Sequence, residues 1–224
     1  MAETREKTKI KLGSYTTDFL VSVWPKLNTP DAKFNKFGTD LHIPDEKVEG
    51  VREKLTKFRD QAFAEFQKIA PTKTAKKLTL GAIPLKAEED KEGDPTGRTL
   101  LRTGRKASGE KKDGTTWKAK IVFKDAKGEV VPANKVPQIW GGSVIRIATT
   151  VFGYYMPTEK QVGVTLEIDG VQIKKLVEGG RDTSSLGAVE DEDGWTSGDN
   201  DFGYKADDSS SDDSTDTGED TPNF

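Results

Sequence analysis

The chain has 224 residues, no cysteine and a single histidine, His42. This composition excludes disulfide scaffolds, thiol nucleophiles and cysteine-based zinc sites and offers no histidine-rich metal cluster, so we expect neither a metal ion nor a cofactor. Charged residues make up 33% of the chain and hydrophobic residues another 33%, which indicates that much of its length stays outside a packed core. No apolar run approaches the roughly 18 residues that cross a bilayer, and we expect no membrane contact.

The charges are segregated along the chain. Residues 188–224 contain 13 acidic residues and one basic residue, a net charge of −12, whereas the preceding 187 residues contain 34 basic and 25 acidic residues, a net charge of +9. From about Arg181 onward Asp, Glu, Ser, Thr and Gly dominate, and such a segment cannot bury enough apolar area to offset its ordering entropy. We therefore predict a folded basic domain, residues 1–180, and a disordered acidic tail, residues 181–224. The basic domain attracts its own tail or an external polyanion.

The first predicted elements are two strands. Side chains alternate with a period of two over Ser14–Trp24, which is typical of a strand with two different faces. Pro25 and Pro30 interrupt this pattern, and Phe37–Ile43 predicts a second short strand.

A long amphipathic helix is predicted from about Pro44 to Ala70. Apolar residues step by three or four along it, at Val48, Val51, Leu55, Phe58, Ala62, Phe66 and Ile69, so that they share one helical face. Pro44 suits the first turn and Pro71 ends the segment.

A polar, glycine-rich segment follows at residues 85–116, with hardly any apolar residues beyond Leu100 and Leu101. We interpret it as a mobile basic loop, because long connections inside compact domains are usually functional or flexible. From Arg98 to Lys124 the chain holds nine basic and two acidic residues.

Three further strands complete the predicted fold. Period-two patterns cover Thr115–Asp125, Ser143–Met156 and Val162–Ile173, and Asp169-Gly170 indicates a bulge or a tight turn within the last of these. Five strands with only one helix favour a closed or sandwiched all-β core over a parallel α/β sheet.

Basic residues form the first candidate site. On the strand Thr115–Asp125, three lysines fall on the face opposite Trp117, and Arg146 has a corresponding position on the next strand. A row of cations matches a phosphate backbone, although surface lysines are often only solvated. The basic candidates for DNA contact are Arg102, Arg105, Lys111, Lys112, Lys118, Lys120, Lys124 and Arg146.

Aromatic residues near these cations are the second ingredient, because unstacked bases stack on flat rings with little sequence preference. Trp24 has the parity opposite to Phe19, Val21 and Val23, which predicts an exposed ring. The aromatic candidates are Trp24, Trp117, Phe152, Tyr154 and Tyr155. A duplex binder would more often present a basic recognition helix, and the predicted helix carries mixed charges.

The acidic tail ends in an aromatic residue, Phe224, shortly after Glu219 and Asp220. A solubilising tail has no need of a terminal ring. We expect this end to dock into a pocket of a partner protein that offers an apolar hole and a cation.

The order of these features resembles a known family. It includes the helix after Ile43-Pro44, the segment Asp113–Trp117 entering a strand with lysines, Gly141-Gly142-Ser143 before the next strand, Tyr154-Tyr155, and the acidic tail ending in Phe224. This arrangement is similar to the single-stranded DNA-binding proteins of tailed bacteriophages, of the phage T-seven type.

The resemblance implies an OB-fold, which is a five-stranded barrel, with a helix inserted between strands two and three. It also implies coating of exposed single strands during phage DNA replication, recombination and repair in the cytoplasm of the infected bacterial host. By the same resemblance Tyr154 or Tyr155 stacks on bases, the tail recruits replication proteins such as DNA polymerase through Phe224, and a homodimer is compatible with the family.

Two other functions remain open. A protein-binding adaptor would use the barrel for a protein and the tail as a mimic of nucleic acid. A metal-dependent nuclease would need a carboxylate cluster, and the one acidic run in the body, Glu88-Glu89-Asp90, has no histidine partner. We therefore predict no catalytic residues and a non-enzymatic protein.

Overall fold

The computed structural model describes residues 8–70, 75, 77–111 and 113–177. One basic candidate, Lys112, lies outside the described residues. The same is true of the predicted tail and its candidate residues Glu219, Asp220 and Phe224.

The described chain forms twelve strands and one α-helix. In chain order the strands are β1 (Lys9–Thr16), β2 (Leu20–Asp31), β3 (Lys36–Ile43), β4 (Thr79–Leu80), β5 (Leu85–Glu89), β6 (Pro95–Lys106), β7 (Ser108–Glu110), β8 (Thr116–Lys118), β9 (Val122–Lys124), β10 (Val130–Val131), β11 (Val144–Met156) and β12 (Gln161–Lys175). The helix is α1 (Asp45–Ile69), and a short 3-10 helix covers Ala133–Lys135.

Five long strands build a barrel. The main sheet runs in the order β10-β9-β12-β11-β2-β3-β6-β5, with β1 paired to β11 and β4 to β12. At the far end β6 packs against β12, and Arg105 Nη1 donates a hydrogen bond to the Ile168 carbonyl oxygen at 2.9 Å. This contact closes the path from β12 through β11, β2 and β3 to β6. The prediction of an all-β, OB-fold-like barrel with one inserted helix is confirmed.

The first barrel strand is broken rather than continuous. β1 ends at Thr16 and β2 begins at Leu20, and β2 continues through Pro25 and Pro30, so the predicted stop at these prolines is wrong. The ladder between β2 and β3 changes register between Val23 and Lys26 and again before Asp31. Each proline therefore lies in an irregular stretch, where a missing backbone N–H costs no ladder hydrogen bond.

The predicted second strand and helix are confirmed. α1 buries Leu55, Ala62 and Phe66 and packs against β1, β11 and β12. Close approach to the sheet depends on Gly153 of β11, since a Cβ there would lie 2.7 Å from the Ala62 Cβ. The described part of the chain contains no helix long and apolar enough to cross a membrane.

The segment 85–116 contains strands β5, β6 and β7, so its interpretation as one long loop is wrong. β6 is the third strand of the barrel, and its residues 99–106 pair with the whole of β3. Its sequence did not predict a strand because the neighbours Leu100 and Leu101 are both fully buried, which breaks the period-two alternation. The predicted barrel strand Thr115–Asp125 instead divides into two short strands. β8 pairs with β7, and β9 pairs with β10 and β12.

The last two barrel strands follow the prediction, β11 from Val144 to Met156 and β12 from Gln161 to Lys175. The ladder pairs Ala148 with Gly170 and Thr149 with Ile168, which leaves Asp169 as an extra residue. The predicted bulge at Asp169-Gly170 is therefore confirmed.

Candidate nucleic-acid interface

The outward face of β11 carries several of the predicted contact residues. Burial alternates along this strand without interruption, so its outward side chains are Arg146, Ala148, Thr150, Phe152 and Tyr154. The predicted common face of Arg146, Phe152 and Tyr154 follows from this regular alternation.

A groove occupies one end of this face. It has a volume of about 420 Å³ and is lined by Thr16, Val122, Lys124, Arg146, Ala148, Asp169, Gly170, Val171 and Gln172; we call these residues the basic groove. Register explains the arrangement, because Gln172 of β12 pairs with Arg146 on one side and with Lys124 on the other. Two cations from distant parts of the sequence therefore lie in one row across three strands.

Arg146 is held against an aromatic ring. Its guanidinium carbon lies 4.2 Å from the centroid of Phe19, and Lys174 Nζ lies 6.0 Å from the same centroid. The buried Nε of Arg146 has no hydrogen-bond partner among the described residues. Buried polar atoms are normally paired, so this donor is available to a ligand that brings an acceptor into the groove.

The acidic lining residue Asp169 is already paired. Its Oδ1 accepts from Arg105 Nη1 at 3.1 Å, and its Oδ2 accepts from Thr150 Oγ1 at 2.6 Å. Arg105, predicted in a mobile loop, thus lies at the end of β6 next to the basic groove. Neutralising Asp169 reduces the repulsion that an anion would meet there.

Asp18, close to the basic groove, is paired in a similar way. It accepts a hydrogen bond from Lys47 Nζ at 2.8 Å. That hydrogen bond and the Lys47 charge, with a smaller contribution from the charge of Arg146, lower the pKa of the Asp18 carboxyl.

The other end of the β11 face is aromatic. Lys9 Nζ lies 4.1 Å from the centroid of the half-buried Phe152 ring, and Lys9 also forms an ion pair with Glu167. Tyr154 lies across its ladder partner Gly163, where a Cβ would come within 2.6 Å of its ring. Both rings keep part of their surface exposed.

Tyr155 is a core residue, in contrast to the prediction that it contacts DNA. It is only 8% exposed, and its ring centroid lies 6.0 Å from that of Phe66 in α1. Alternation along β11 turns Tyr155 inward when Tyr154 turns outward. Of the two neighbouring tyrosines, only Tyr154 therefore offers a ring to a base.

Trp24 is exposed, as predicted, but for a different reason. Leu20 and Ser22 point into the core and Val21 and Val23 point outward, so the predicted parity of this strand is reversed. The backbone of Trp24 has φ of +45°, and this left-handed conformation places the indole outside with 63% of its surface exposed.

Trp24 belongs to a second group of side chains, separate from the basic groove. With Asp40, Lys86 and Arg102 it lies on the outward face of β2, β3, β5 and β6; we call these four residues the Trp24 cluster. Lys86 Nζ and Arg102 Nε lie 3.3 and 3.6 Å from the Asp40 carboxylate. The predicted contact residue Arg102 is therefore ion-paired.

The remaining candidates belong to the β7–β8 hairpin and the segment after it. Trp117 packs over Gly109, where a Cβ would lie 2.9 Å from the indole. Lys111, Lys118 and Lys120 are exposed. Because β8 and β9 are separate strands, Lys118 and Lys120 do not continue the row formed by Lys124, in contrast to the prediction.

Phe19, Lys174 and Gln172 complete the basic groove and its surroundings, and the sequence analysis missed them. Phe19 was assigned to the inner face of its strand, and the break between β1 and β2 reverses that assignment. No sequence pattern singles out Lys174 or Gln172, since their positions depend on the pairing of β12 with β9 and β11.

Two carboxylates of the acidic run Glu88-Glu89-Asp90 are engaged by neighbouring groups of the protein. Asp90 Oδ1 accepts hydrogen bonds from the backbone N–H groups of Glu92 and Asp94, and Glu88 forms an ion pair with Arg98 at 3.8 Å. Among the described residues no group of three or more His, Cys, Asp or Glu side chains is arranged to hold a metal ion.

No known protein family matches the sequence, and no curated protein matches it. Solved structures that share its fold include two phage proteins. One is gp2.5, a single-stranded DNA binding protein encoded by bacteriophage T7, with a TM-score of 0.60, 20% identity, and coverage of 80% of this chain and 96% of that chain. The other is a C-terminal truncation of the single-stranded DNA-binding protein from bacteriophage Enc34, with a TM-score of 0.50, 15% identity, and coverage of 74% and 87%. The chain therefore has the fold of these phage proteins.

Proposed function

We propose that this protein binds single-stranded DNA with little sequence preference, through the basic groove and the outward face of β11. The observation that carries the proposal is Arg146, which lies over Phe19 with its buried Nε unpaired. The two proteins that share the fold are described as single-stranded DNA-binding proteins, and this description supports the same ligand here.

In the proposed complex, phosphates contact Lys124, Arg146 and Lys174, and bases stack on Phe152 and Tyr154. Cations bind the backbone without reading sequence, and the release of counterions makes the affinity depend on salt. Stacking on aromatic rings is tolerant of sequence because every base has a π-face. The planar guanidinium of Arg146 suits both a phosphate and a ring.

The role proposed for the whole chain is non-catalytic. The protein coats exposed strands during phage replication and recombination in the host cytoplasm, and its acidic tail competes with DNA for the basic groove. When DNA displaces the tail, Glu219, Asp220 and Phe224 become available to replication proteins such as DNA polymerase. This coupling links DNA occupancy to recruitment. A homodimer is compatible with the proposal.

The proposal is tested by titrating the full chain with a fluorescent oligothymidylate at several salt concentrations. Log affinity is expected to fall with log salt with a slope of about −0.7 for each phosphate engaged. Arg146→Ala removes one such contact, so it weakens binding and makes the slope less negative.

The matched control is Arg52→Ala, which removes an equal charge from the exposed Glu49 pair on α1. It is expected to bind as the unaltered chain does. An affinity that does not depend on salt, or an equal loss in both variants, would contradict the proposed function.

A further inference from the structure

Gly163 of β12 leaves an open space opposite Tyr154 of β11. The two residues are directly paired in the antiparallel ladder, where opposite side chains share one face of the sheet. A Cβ placed on Gly163 would lie 2.6 Å from the Cζ of Tyr154 and 2.5 Å from its hydroxyl oxygen. The tip of the tyrosine ring therefore occupies the space that any larger side chain at position 163 would fill.

This contact shows how the ring of Tyr154 is oriented. Side chains of a strand ordinarily stand roughly perpendicular to the sheet. The hydroxyl of an upright tyrosine would lie well above the Cβ positions of the neighbouring strand, whereas here it lies beside the Cβ position of Gly163. The ring therefore leans across β12, so that its side, rather than its hydroxyl end, faces away from the sheet.

The leaning orientation matters for stacking. A base packs its flat face against the face of an aromatic ring. An upright tyrosine on an outer sheet surface would offer its hydroxyl end to a ligand that approaches from above. A ring that lies along the sheet offers its apolar side to the same ligand.

The same arrangement occurs in the β7–β8 hairpin. Trp117 pairs directly with Gly109, and a Cβ on Gly109 would lie 2.9 Å from the indole. Phe152, in contrast, pairs with Thr165, and Lys9 Nζ lies over its ring at 4.1 Å from the centroid. Glycine therefore lies opposite two of the aromatic candidates outside the core, which indicates that the pairing in the barrel is not an isolated accident.

We propose that Gly163 is a positioning residue for single-stranded DNA: because it has no side chain, the ring of Tyr154 lies across β12 and presents a face to one base. The inference rests on the proposed function, in which Tyr154 stacks on a base. Gly163 acts only through the tyrosine. An aromatic ring that covers a glycine also stabilises a sheet, so binding and stability have to be measured separately.

The test is Gly163→Ala in the full chain. The atoms nearest to the new methyl group belong to the movable end of the Tyr154 side chain, so the ring is displaced before the barrel is. We expect binding of oligothymidylate to weaken about three- to tenfold, which is part of the roughly 5- to 150-fold that one stacked base corresponds to. The slope of log affinity against log salt is expected to stay unchanged, because no phosphate contact is lost.

An abasic oligonucleotide of the same length separates positioning from a structural defect. It keeps the phosphates but offers no base to Tyr154, so Gly163→Ala and the unaltered chain are expected to bind it equally. An equal loss of affinity for both oligonucleotides, or no loss for either, overturns the inference.

Gly50→Ala is the matched control. It adds the same methyl group on the exposed side of α1, where no atom lies within 4 Å of the new Cβ. This variant is expected to bind both oligonucleotides as the unaltered chain does. A loss of oligothymidylate affinity equal to that of Gly163→Ala would also overturn the inference.

A double-mutant cycle shows whether Gly163 acts through the ring. Tyr154→Ala is expected to weaken binding of oligothymidylate, and the addition of Gly163→Ala is expected to cause no further loss. A further loss of about threefold or more, which coupling through one shared partner does not allow, contradicts the inference. Circular dichroism checks that each variant is folded.

A measurement on the unaltered chain needs no substitution. When one base of the oligothymidylate is replaced by iodouracil, irradiation is expected to crosslink that base to Tyr154, because the reaction favours a stacked aromatic ring. If crosslinks form only at other residues, the inference is wrong even where Gly163→Ala does not fold. The proposed function fails separately, through absent binding by the unaltered chain or an unaffected Arg146→Ala variant.

Discussion

Two residues carry unfavourable features that ordinary packing does not explain. Trp24 combines a left-handed backbone with an exposed indole, and Arg146 buries an unpaired Nε. Each feature raises the free energy of the folded chain. Nucleic-acid contact is the role predicted for both residues, and such a role would account for their unfavourable features.

The conformation of Trp24 leads to a prediction about stability. Trp24→Gly relieves the backbone strain of about 1–2 kcal/mol while the more flexible unfolded glycine costs about 0.5–1 kcal/mol. We therefore expect the free energy of unfolding in urea to stay within about 1 kcal/mol of the original. The control Phe66→Ala truncates a ring that is 2% exposed and should cost about 3–5 kcal/mol. A comparable loss for Trp24→Gly would show that Trp24 has a structural role.

At the scale of elements, the position of α1 depends on the space that a small residue of the sheet leaves for the helix. Ala62 of the helix faces Gly153 of β11, and Ile10 of β1 lies beside them, 3.2 Å from where a Gly153 Cβ would be. The two small residues let the helix close this end of the barrel and cover Tyr155 with Phe66. The same strand then presents Tyr154 on its outer side, so the helix contact and the proposed DNA contact share one strand register.

This packing predicts opposite effects for two glycine substitutions. Gly153→Ala places a methyl group 2.7 Å from the Ala62 Cβ and should lower the free energy of unfolding by about 1–3 kcal/mol, as overpacked cores do. Gly50→Ala lies in α1 with no atom within 4 Å of the new Cβ, and it should raise the free energy of unfolding by about 0.5–1 kcal/mol through helix propensity. Urea denaturation measures both values, and equal signs would disprove the packing argument.

For the whole molecule, the dominant feature is the separation of a +9 body from a −12 terminal segment. Such charges attract each other over distances of about the Debye length, roughly 8–10 Å at physiological salt. An acidic segment on the same chain is always present at high effective concentration. We therefore expect it to compete with DNA, as proposed above, even at a low intrinsic affinity.

Deleting residues 207–224 tests this competition. We expect the shortened chain to bind oligothymidylate more tightly at low salt, because the deletion removes seven of the thirteen terminal acidic residues and leaves all described cations in place. The gain should shrink as salt rises, since screening weakens the tail and DNA contacts together. Unchanged or weaker affinity at low salt would argue against the tail as a competitor.

The sequence predicted those elements whose pattern is local. α1 and β3 follow from periodicity and flanking prolines, and β11 and β12 from alternation, because each buries one face of a regular element. β6 was missed since the barrel and a covering strand bury Leu100 and Leu101 together. Trp24 was placed on the correct side by an incorrect argument, because a positive φ reverses the alternation within β2.

Composition and order along the chain determined the class of fold, the separation of basic and acidic parts, and the residue types suited to single-stranded DNA. Which of those residues act together was decided only by tertiary structure. Lys124 and Arg146 become neighbours of Gln172 through strand pairing, and Tyr155 is buried because α1 covers it. The physical reason is that a side chain's type is a local property, whereas its neighbours depend on the register between strands that are distant in sequence. The same register decides whether a charged side chain has an ion-pair partner.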